Sequence, residues 1–313
     1  VKVVVTGGAG FIGANLGREL LRRDEVDEVV ALDDLSTGSK DNLAGTGVTL
    51  LEGTILDPDI LDAACEGADA VVHLGALPSV PRSVRDPLAS HHANATGTLE
   101  VLQAARRAGG LHVVSASSSS VYGANRELPK RESMRTAPIS PYAVSKQATE
   151  AYTLSFGHTY GLPTIAFRFF NVYGPLQAAG HAYAAVLPTF IDAARRGRPL
   201  TIHGDGGQTR DFTFVGTVTR VLADAVVRRV TDLEPVNLAF GSRTSLNGVV
   251  DELEEILGFR PEVEHVEPRA GDVRDSQADN SRLLSHFPDV EPVPLRDGLR
   301  ATVEWFRTLP DDD

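Results

Sequence analysis

The chain's 313 residues carry a net charge of −12 and 42% hydrophobic side chains. That balance supports a large α/β core with a smaller partner and excludes disorder as well as affinity for a nucleic-acid backbone. The single cysteine, Cys65, excludes an intrachain disulfide and a cysteine-built metal site. It reads as a small core residue.

No run of about twenty apolar residues suits a membrane span. No basic-then-apolar leader precedes the first strand, so a cytoplasmic protein is expected. The sequence opens on Val1 rather than Met, and further residues are expected before it.

Residues 1–6 read as a buried parallel strand. They run into Gly7-Gly8-Ala9-Gly10-Phe11-Ile12-Gly13 and then a helix over 11–22. Strand, glycine loop and helix in that order make a dinucleotide-binding turn. Glycine lets the backbone approach a pyrophosphate, whose charge the helix N-terminus favours. Asp33 closes the next strand, 28–32, at a distance of 20 residues from Gly13. Its carboxylate suits the ribose hydroxyls and repels a 2′-phosphate, which predicts NAD rather than NADP.

Further strands are predicted at 48–51, 70–73, 112–115 and 164–169. Helices are predicted at 60–64, 89–107 and 142–160. The alternation marks a doubly wound parallel sheet with helices on both faces. The serine run Ser117–Ser120 ends a buried strand, at the sheet edge where ligands bind. Tyr142 and Lys146 lie four apart, on one face of a helix. A nearby ammonium lowers a phenol's pKa, so the pair can take a proton from an alcohol.

After Asn171 the pattern changes. Gly174-Pro175 breaks the chain, a helix is predicted over 187–195, and a strand with a glycine turn over 198–207. Strands at 212–215 and 236–239 are expected to return to the main sheet. Segments 246–257, 263–266, 281–286 and 295–307 are expected to cover the substrate. The division predicted is a nucleotide-binding domain, 1–170 with a returning segment at about 208–240, interleaved with a substrate domain, 171–207 and 241–313. No internal repeat is visible, and 311–313 read as a solvated acidic tail. His91 and His92 are neighbours on a helix and point about 100° apart; with His181 they read as surface or interface residues, and no metal is expected.

Together TGGAGFIG, LDDLSTG, HLGALPSVPRS, SSSSVYG, SPYAVSK, FRFFNVYGP, GDGGQTRDF and PRAGD resemble the NAD-dependent sugar epimerase/dehydratase group of extended short-chain dehydrogenase/reductases. The resemblance runs from Val1 to about Trp305. It implies Tyr142 as catalytic base, Lys146 as the lysine that binds the nicotinamide ribose and tunes it, and Ser118 as third member. It places NAD on Gly7, Gly10, Phe11, Ile12 and Gly13, with Asp33, Leu35, Ser36, Thr37 and Gly38 around the adenosine. Thr54, Ile55, Leu74, Gly75, Ala76, Asn94, Ser117 and Phe169 complete that site with Tyr142 and Lys146.

For the substrate, a UDP-sugar, the resemblance implies Arg210 and Arg269 as diphosphate clamps and Asn171 at the sugar–phosphate. Asp272 falls near the uridine ribose, and Val186, Leu187, Thr201, Ile202 and His203 near uracil. Ser79, Arg82, Ser118, Ser119, Tyr142 and Ser276 surround the sugar. A homodimer through the two long helices is implied as well. The implied reaction is inversion at C4 through a 4-keto sugar.

Several positions depart from the family pattern. Thr54 stands where Asp is frequent, and Gly174-Pro175-Leu176-Gln177 lacks an arginine. Ser276 is small where glucose-restricted epimerases are bulky, which leaves room for an N-acetyl or carboxylate group. Ser119-Ser120 offer no carboxylate, which favours 4-epimerisation over the dehydratase and decarboxylase branches. The sugar stays open between UDP-glucuronate and UDP-N-acetylglucosamine or UDP-glucose. A nucleotide-sugar oxidoreductase, dehydratase or decarboxylase of the same family and a non-catalytic NAD sensor are the rivals.

Overall fold

The computed structural model describes residues 1–179, 185–268 and 274–310. The first half alternates strand and helix: β1 (Lys2–Thr6), α1 (Phe11–Leu20), β2 (Glu28–Asp33), β3 (Thr49–Glu52), α2 (Pro58–Cys65) and β4 (Ala70–His73). Then come α3 (Val80–Arg85), α4 (Pro87–His91), α5 (Gly97–Arg107), β5 (His112–Ser118), α6 (Pro141–Tyr160) and β6 (Thr164–Phe169). The second half holds β7 (Asn171–Tyr173), α7 (Val186–Arg195), β8 (Leu200–His203), β9 (Thr209–Arg210), β10 (Phe212–Phe214) and α8 (Val215–Val227). It closes with β11 (Val236–Leu238), β12 (Thr244–Ser245), α9 (Leu246–Leu257), β13 (Val263–Val266), α10 (Ser281–His286) and α11 (Leu295–Arg307).

Seven strands form one sheet in the order β11-β6-β5-β4-β1-β2-β3, every pair parallel. Their apolar runs are buried because helices cover both faces. On one face Leu16 and Leu20 of α1, Val218 and Leu222 of α8 and Leu283 of α10 share a core with Val3, Val5 and Phe167. On the other, Leu61 of α2, Val101 and Leu102 of α5 and Phe156 of α6 pack on Val4, Val71 and Val113. Chain order reverses between β1 and β4, so the loops leaving those strands diverge and open a crevice at the carboxyl edge.

A second core belongs to the other lobe. Phe190 and Ile191 of α7, Leu200 and Ile202 of β8, Val249 and Leu253 of α9, and Leu299 and Phe306 of α11 build it. Two elements depart from expectation. The strand at Phe212–Phe214 pairs with Asn171–Tyr173 in a separate ribbon, because β11 already occupies the free edge of β6. Helix α10 belongs to the main core, since Leu283 and the following Phe287 insert there.

The helix expected over 89–107 is likewise interrupted. Residues His92–Thr96 form a wide π turn between α4 and α5. Its cause is local: the Thr98 and Thr149 hydroxyls both donate to the Asn94 carbonyl, and side chains inserted into the helix ladder widen it. Among the described residues no helix is long and apolar enough to cross a membrane.

Candidate active site

The crevice begins at the glycine loop. Gly7 has φ +67°, and a Cβ on Gly13 would lie 2.2 Å from the Gly7 carbonyl oxygen, so neither position admits a side chain. Helix α1 starts at Phe11 with no side-chain cap and no acid in its first turn. Its first N–H groups are therefore available to an anion. Gly75, after β4, approaches to 2.9 Å of a Cβ placed on Gly7, so the two loops meet at the switch point.

Asp33 caps this corner. Its carboxylate accepts from the Ala9 N–H at 2.9 Å and the Leu35 N–H at 2.8 Å. Burial nonetheless pushes its pKa up. Leu35 adopts a left-handed φ of 59° there. Ser36 and Thr37 are exposed, while Gly38 lies against Ala9 and Asp33. The residues present suit a dinucleotide: a cradle closed to side chains, open helix donors and an acceptor at the ribose end.

Helix α6 carries Tyr142 and Lys146, the pair expected to act as base and partner. Ser140 caps it by accepting from the Ala143 N–H, Pro141 opens it, and Gly161 ends it in the left-handed conformation. Its buried face is polar: Ser145, Lys146, Thr149, Glu150 and Thr153 all face inward. Lys146 Nζ donates to the Ala116 carbonyl at 2.8 Å, and burial lowers its pKa to about 8. The Tyr142 side chain hydrogen-bonds with Ser118, at the end of β5. Burial raises the Tyr142 pKa, and the Ser118 hydrogen bond opposes it. The lowering by Lys146 expected from the sequence does not act on the phenol in this structure.

The structure separates the other expected cofactor contacts. The Ser117 hydroxyl turns inward to Glu150 Oε2 at 2.8 Å, so its side chain does not face the crevice. Asn94 is buried, with its amide committed to Leu77 and to Ser145 Oγ. It supports the loop after Leu74, Gly75 and Ala76. Thr54 Oγ1 accepts from the Leu56 N–H, Ile55 fills the space beside Gly97, and Phe169 lies in the main core.

Around the sugar, Ser79 has φ +99° and caps α3 by accepting from the Arg82 N–H. One residue beyond Arg82, Ser83 Oγ accepts from the Tyr142 N–H at 3.0 Å. Ser119 opens a 3-10 turn beside Ser118. Arg210 Nη1 donates to the carbonyls of Thr209 and Arg274. Its neighbour Asp211 accepts from Gly241 N, Ser242 Oγ and Ala278 N, while the Asp211 carbonyl takes Asn171 N–H. Ser276 N–H donates to the Thr209 carbonyl. Arg210, Asn171 and Ser276 are thereby held by one short stretch of chain.

Val186 begins α7, and Leu187 and Ile202 are core residues of the second lobe. Thr201 is exposed and pairs with Glu264, and His203 Nδ1 meets the Glu267 carbonyl. Arg269, Asp272, His181 and the tail 311–313 lie outside the described residues.

A family model, NAD dependent epimerase/dehydratase family, matches residues 3–239. The chain belongs to this family. A UDP-glucose 4-epimerase of Mycolicibacterium smegmatis is 37% identical over 98% of this chain and 99% of its own length. Among solved structures, the UDP-N-acetylglucosamine 4-epimerase from Methanobrevibacter ruminantium M1, in complex with UDP-N-acetylmuramic acid, superposes with a TM-score of 0.92, at 35% identity and 98% coverage of both chains. The Thermus thermophilus UDP-glucose 4-epimerase complex with NAD gives a TM-score of 0.88 at 35% identity, covering 98% of this chain and 99% of that one. The enzyme is NAD-dependent, as its family is.

Sequence reasoning missed several polar groups of this family member. Arg243 pairs with Asp275 at 3.1 Å and Arg274 with Asp205 at 3.1 Å, both beside Arg210. Glu150 and Arg168 form a buried ion pair behind Ser118; an arginine inside an otherwise apolar strand was the available signal. His73 bridges Thr6 Oγ1 at 2.8 Å and Thr98 Oγ1 at 3.0 Å, tying the nucleotide loop to the helices behind it.

Burial, reinforced by the Lys146 charge, pushes the His73 imidazole down to about 3. An unfolded histidine takes a proton near pH ~6.5. Its stabilising contribution is therefore complete above that pH and is lost as pH falls toward about 3, at about 1.4 kcal/mol per unit. Urea unfolding of the wild type and of His73→Gln at pH 7 and pH 5 checks this. The stability difference between them should shrink by about 2 kcal/mol at the lower pH; a constant difference would contradict it.

Proposed function

We propose that this protein is a UDP-sugar 4-epimerase that inverts C4 through a 4-keto intermediate. The observation that carries the reading is the meeting of Ser118 with Tyr142 above a buried Lys146, beside a loop, Ser117–Ser120, that has no carboxylate. Dehydration and decarboxylation need further acid–base groups, and this loop supplies none.

Tyr142, as the phenolate, takes the proton of the 4-hydroxyl, and Ser118 bridges that hydroxyl and the phenolate, because a hydroxyl both donates and accepts. Lys146 holds its charge close to the reacting pair. NAD held by the glycine loop and Asp33 would supply the acceptor for the C4 hydride and the means of its return. Return to the opposite face, with the proton restored to the oxygen, inverts the centre with no net redox change.

The diphosphate is anchored by Arg210 and Arg269, with Asn171 at the sugar–phosphate. Guanidinium forks suit phosphate, and they provide local positive charge in a chain of net charge −12. Small Ser276 leaves room for a substituted sugar, so UDP-glucuronate and UDP-N-acetylglucosamine stand beside UDP-glucose as alternatives for the substrate. Ser79 and Arg82 would line that side. The uracil falls to the backbone around Leu187 and Ile202.

Product analysis with these three UDP-sugars, without added NAD, tests the assignment. One C4-epimer pair at equilibrium is expected, and Tyr142→Phe should lower turnover by at least about a hundredfold. A keto product, a pentose or an active Tyr142→Phe would contradict it.

We also propose a homodimer built on α4 and α6. While the inner face of α6 is polar, its outer face shows Val144 at 53% exposure, and Leu88 of α4 is 69% exposed nearby. With Ile139 they rim a hollow of about 590 Å³. Exposed apolar side chains gathered in one place mark an interface. Sedimentation should show a dimer for the wild type and a monomer for the Leu88→Glu, Val144→Glu double variant; a monomeric wild type would overturn this.

A further inference from the structure

We propose that the Glu150–Arg168 ion pair is a positioning device that holds Ser118 and Lys146 in catalytic register. Glu150 stands one turn beyond Lys146 on α6, and Arg168 lies opposite Ser117 in the β5–β6 register. The carboxylate accepts from Arg168 Nε at 2.9 Å, from Arg168 Nη2 at 2.7 Å and from Ser117 Oγ at 2.8 Å. Ser117 Oγ also lies 3.4 Å from the Lys146 carbonyl. Three elements, β5, α6 and β6, therefore meet at one carboxylate, one residue behind Ser118.

The remaining valences of Arg168 are fixed as well. Its Nη1 donates to the Glu132 carbonyl at 3.3 Å, and its guanidinium lies 4.7 Å over the Tyr122 ring. Tyr122 in turn donates to Asn237 Oδ1 at 2.7 Å. The Arg168 and Glu150 side chains are 3% and 8% exposed, so neither reaches the sugar. A slide of α6 along the sheet must break the charge-assisted, two-pronged bond to Arg168 of β6 and the Ser117 bond to β5, both inside the protein. A buried ion pair is a poor source of stability, since apolar replacements of the same volume are often neutral. What it provides here is one geometry, and a catalytic constellation loses about a hundredfold for an ångström of misplacement.

This rests on the epimerase reading and is tested beside it. In Glu150→Leu, Arg168→Met both charges go and the volume stays. That variant should melt near the wild type and keep its NAD. Its kcat should fall about tenfold to a hundredfold while KM changes by less than about twofold. Ser117→Ala, which spares the ion pair, should lower kcat by about threefold to tenfold. A folded double variant with wild-type kcat would overturn the proposal; should that variant fail to fold, an unchanged kcat in Ser117→Ala overturns it instead.

If the wild type turns over none of the three UDP-sugars, the epimerase reading fails by itself. The positioning claim is then decided by ultraviolet titration of Tyr142, isolated by difference from Tyr142→Phe. Loss of the Ser118 hydrogen bond moves that titration to higher pH in the variants. No movement would overturn the claim.

Discussion

An ammonium taken out of water keeps its charge only where protein oxygens replace the lost hydration. Lys146 meets that demand with the Ala116 carbonyl, just past the end of the β4–β5 pairing, and β5 runs on from there to Ser118. The same extension places Ser118 against Tyr142. Burial raises the phenol and brings the ammonium down to about 8, so it opposes charge on both. Burial therefore holds the phenol in its neutral form and brings only the ammonium toward neutral pH.

The polar face of α6 follows from the same constraint. A helix that faces a parallel sheet normally presents an apolar stripe. Here the inward stripe carries Ser145, Lys146, Thr149, Glu150 and Thr153. Each of the others finds a partner: Asn94, the Asn94 carbonyl, Arg168 and Ser115. The cost of burying these groups is offset only because the network is closed. The apolar side chains displaced from the inner face appear outside, at Val144, Tyr152 and Tyr160. One helix thus builds the candidate site on one side and an apolar surface on the other.

Most of the nucleotide half was legible in the sequence, because its signals are local. A strand, glycine loop and helix, an acid closing the next strand, and a Ser-Pro start to α6 each depend on neighbouring residues. What was not legible depends on distant pairing. Phe212–Phe214 has the look of a main-sheet strand, yet the edge it needed is taken by Val236–Leu238. Ser281–His286 follows the second lobe in sequence, yet Leu283 completes the first core. The direction of the Tyr142 shift required knowing its burial, and the inward turn of Ser117 required knowing where Glu150 lies. Arg168, a charge within a strand that is buried throughout, announced a partner without naming it.

The most direct test of internal hydride return uses a UDP-sugar deuterated at C4, in ordinary water without added NAD. The account predicts a C4-epimer that still carries its deuterium, because the hydride leaves and returns within one closed site. A product with protium at C4, or a released keto sugar, would contradict it.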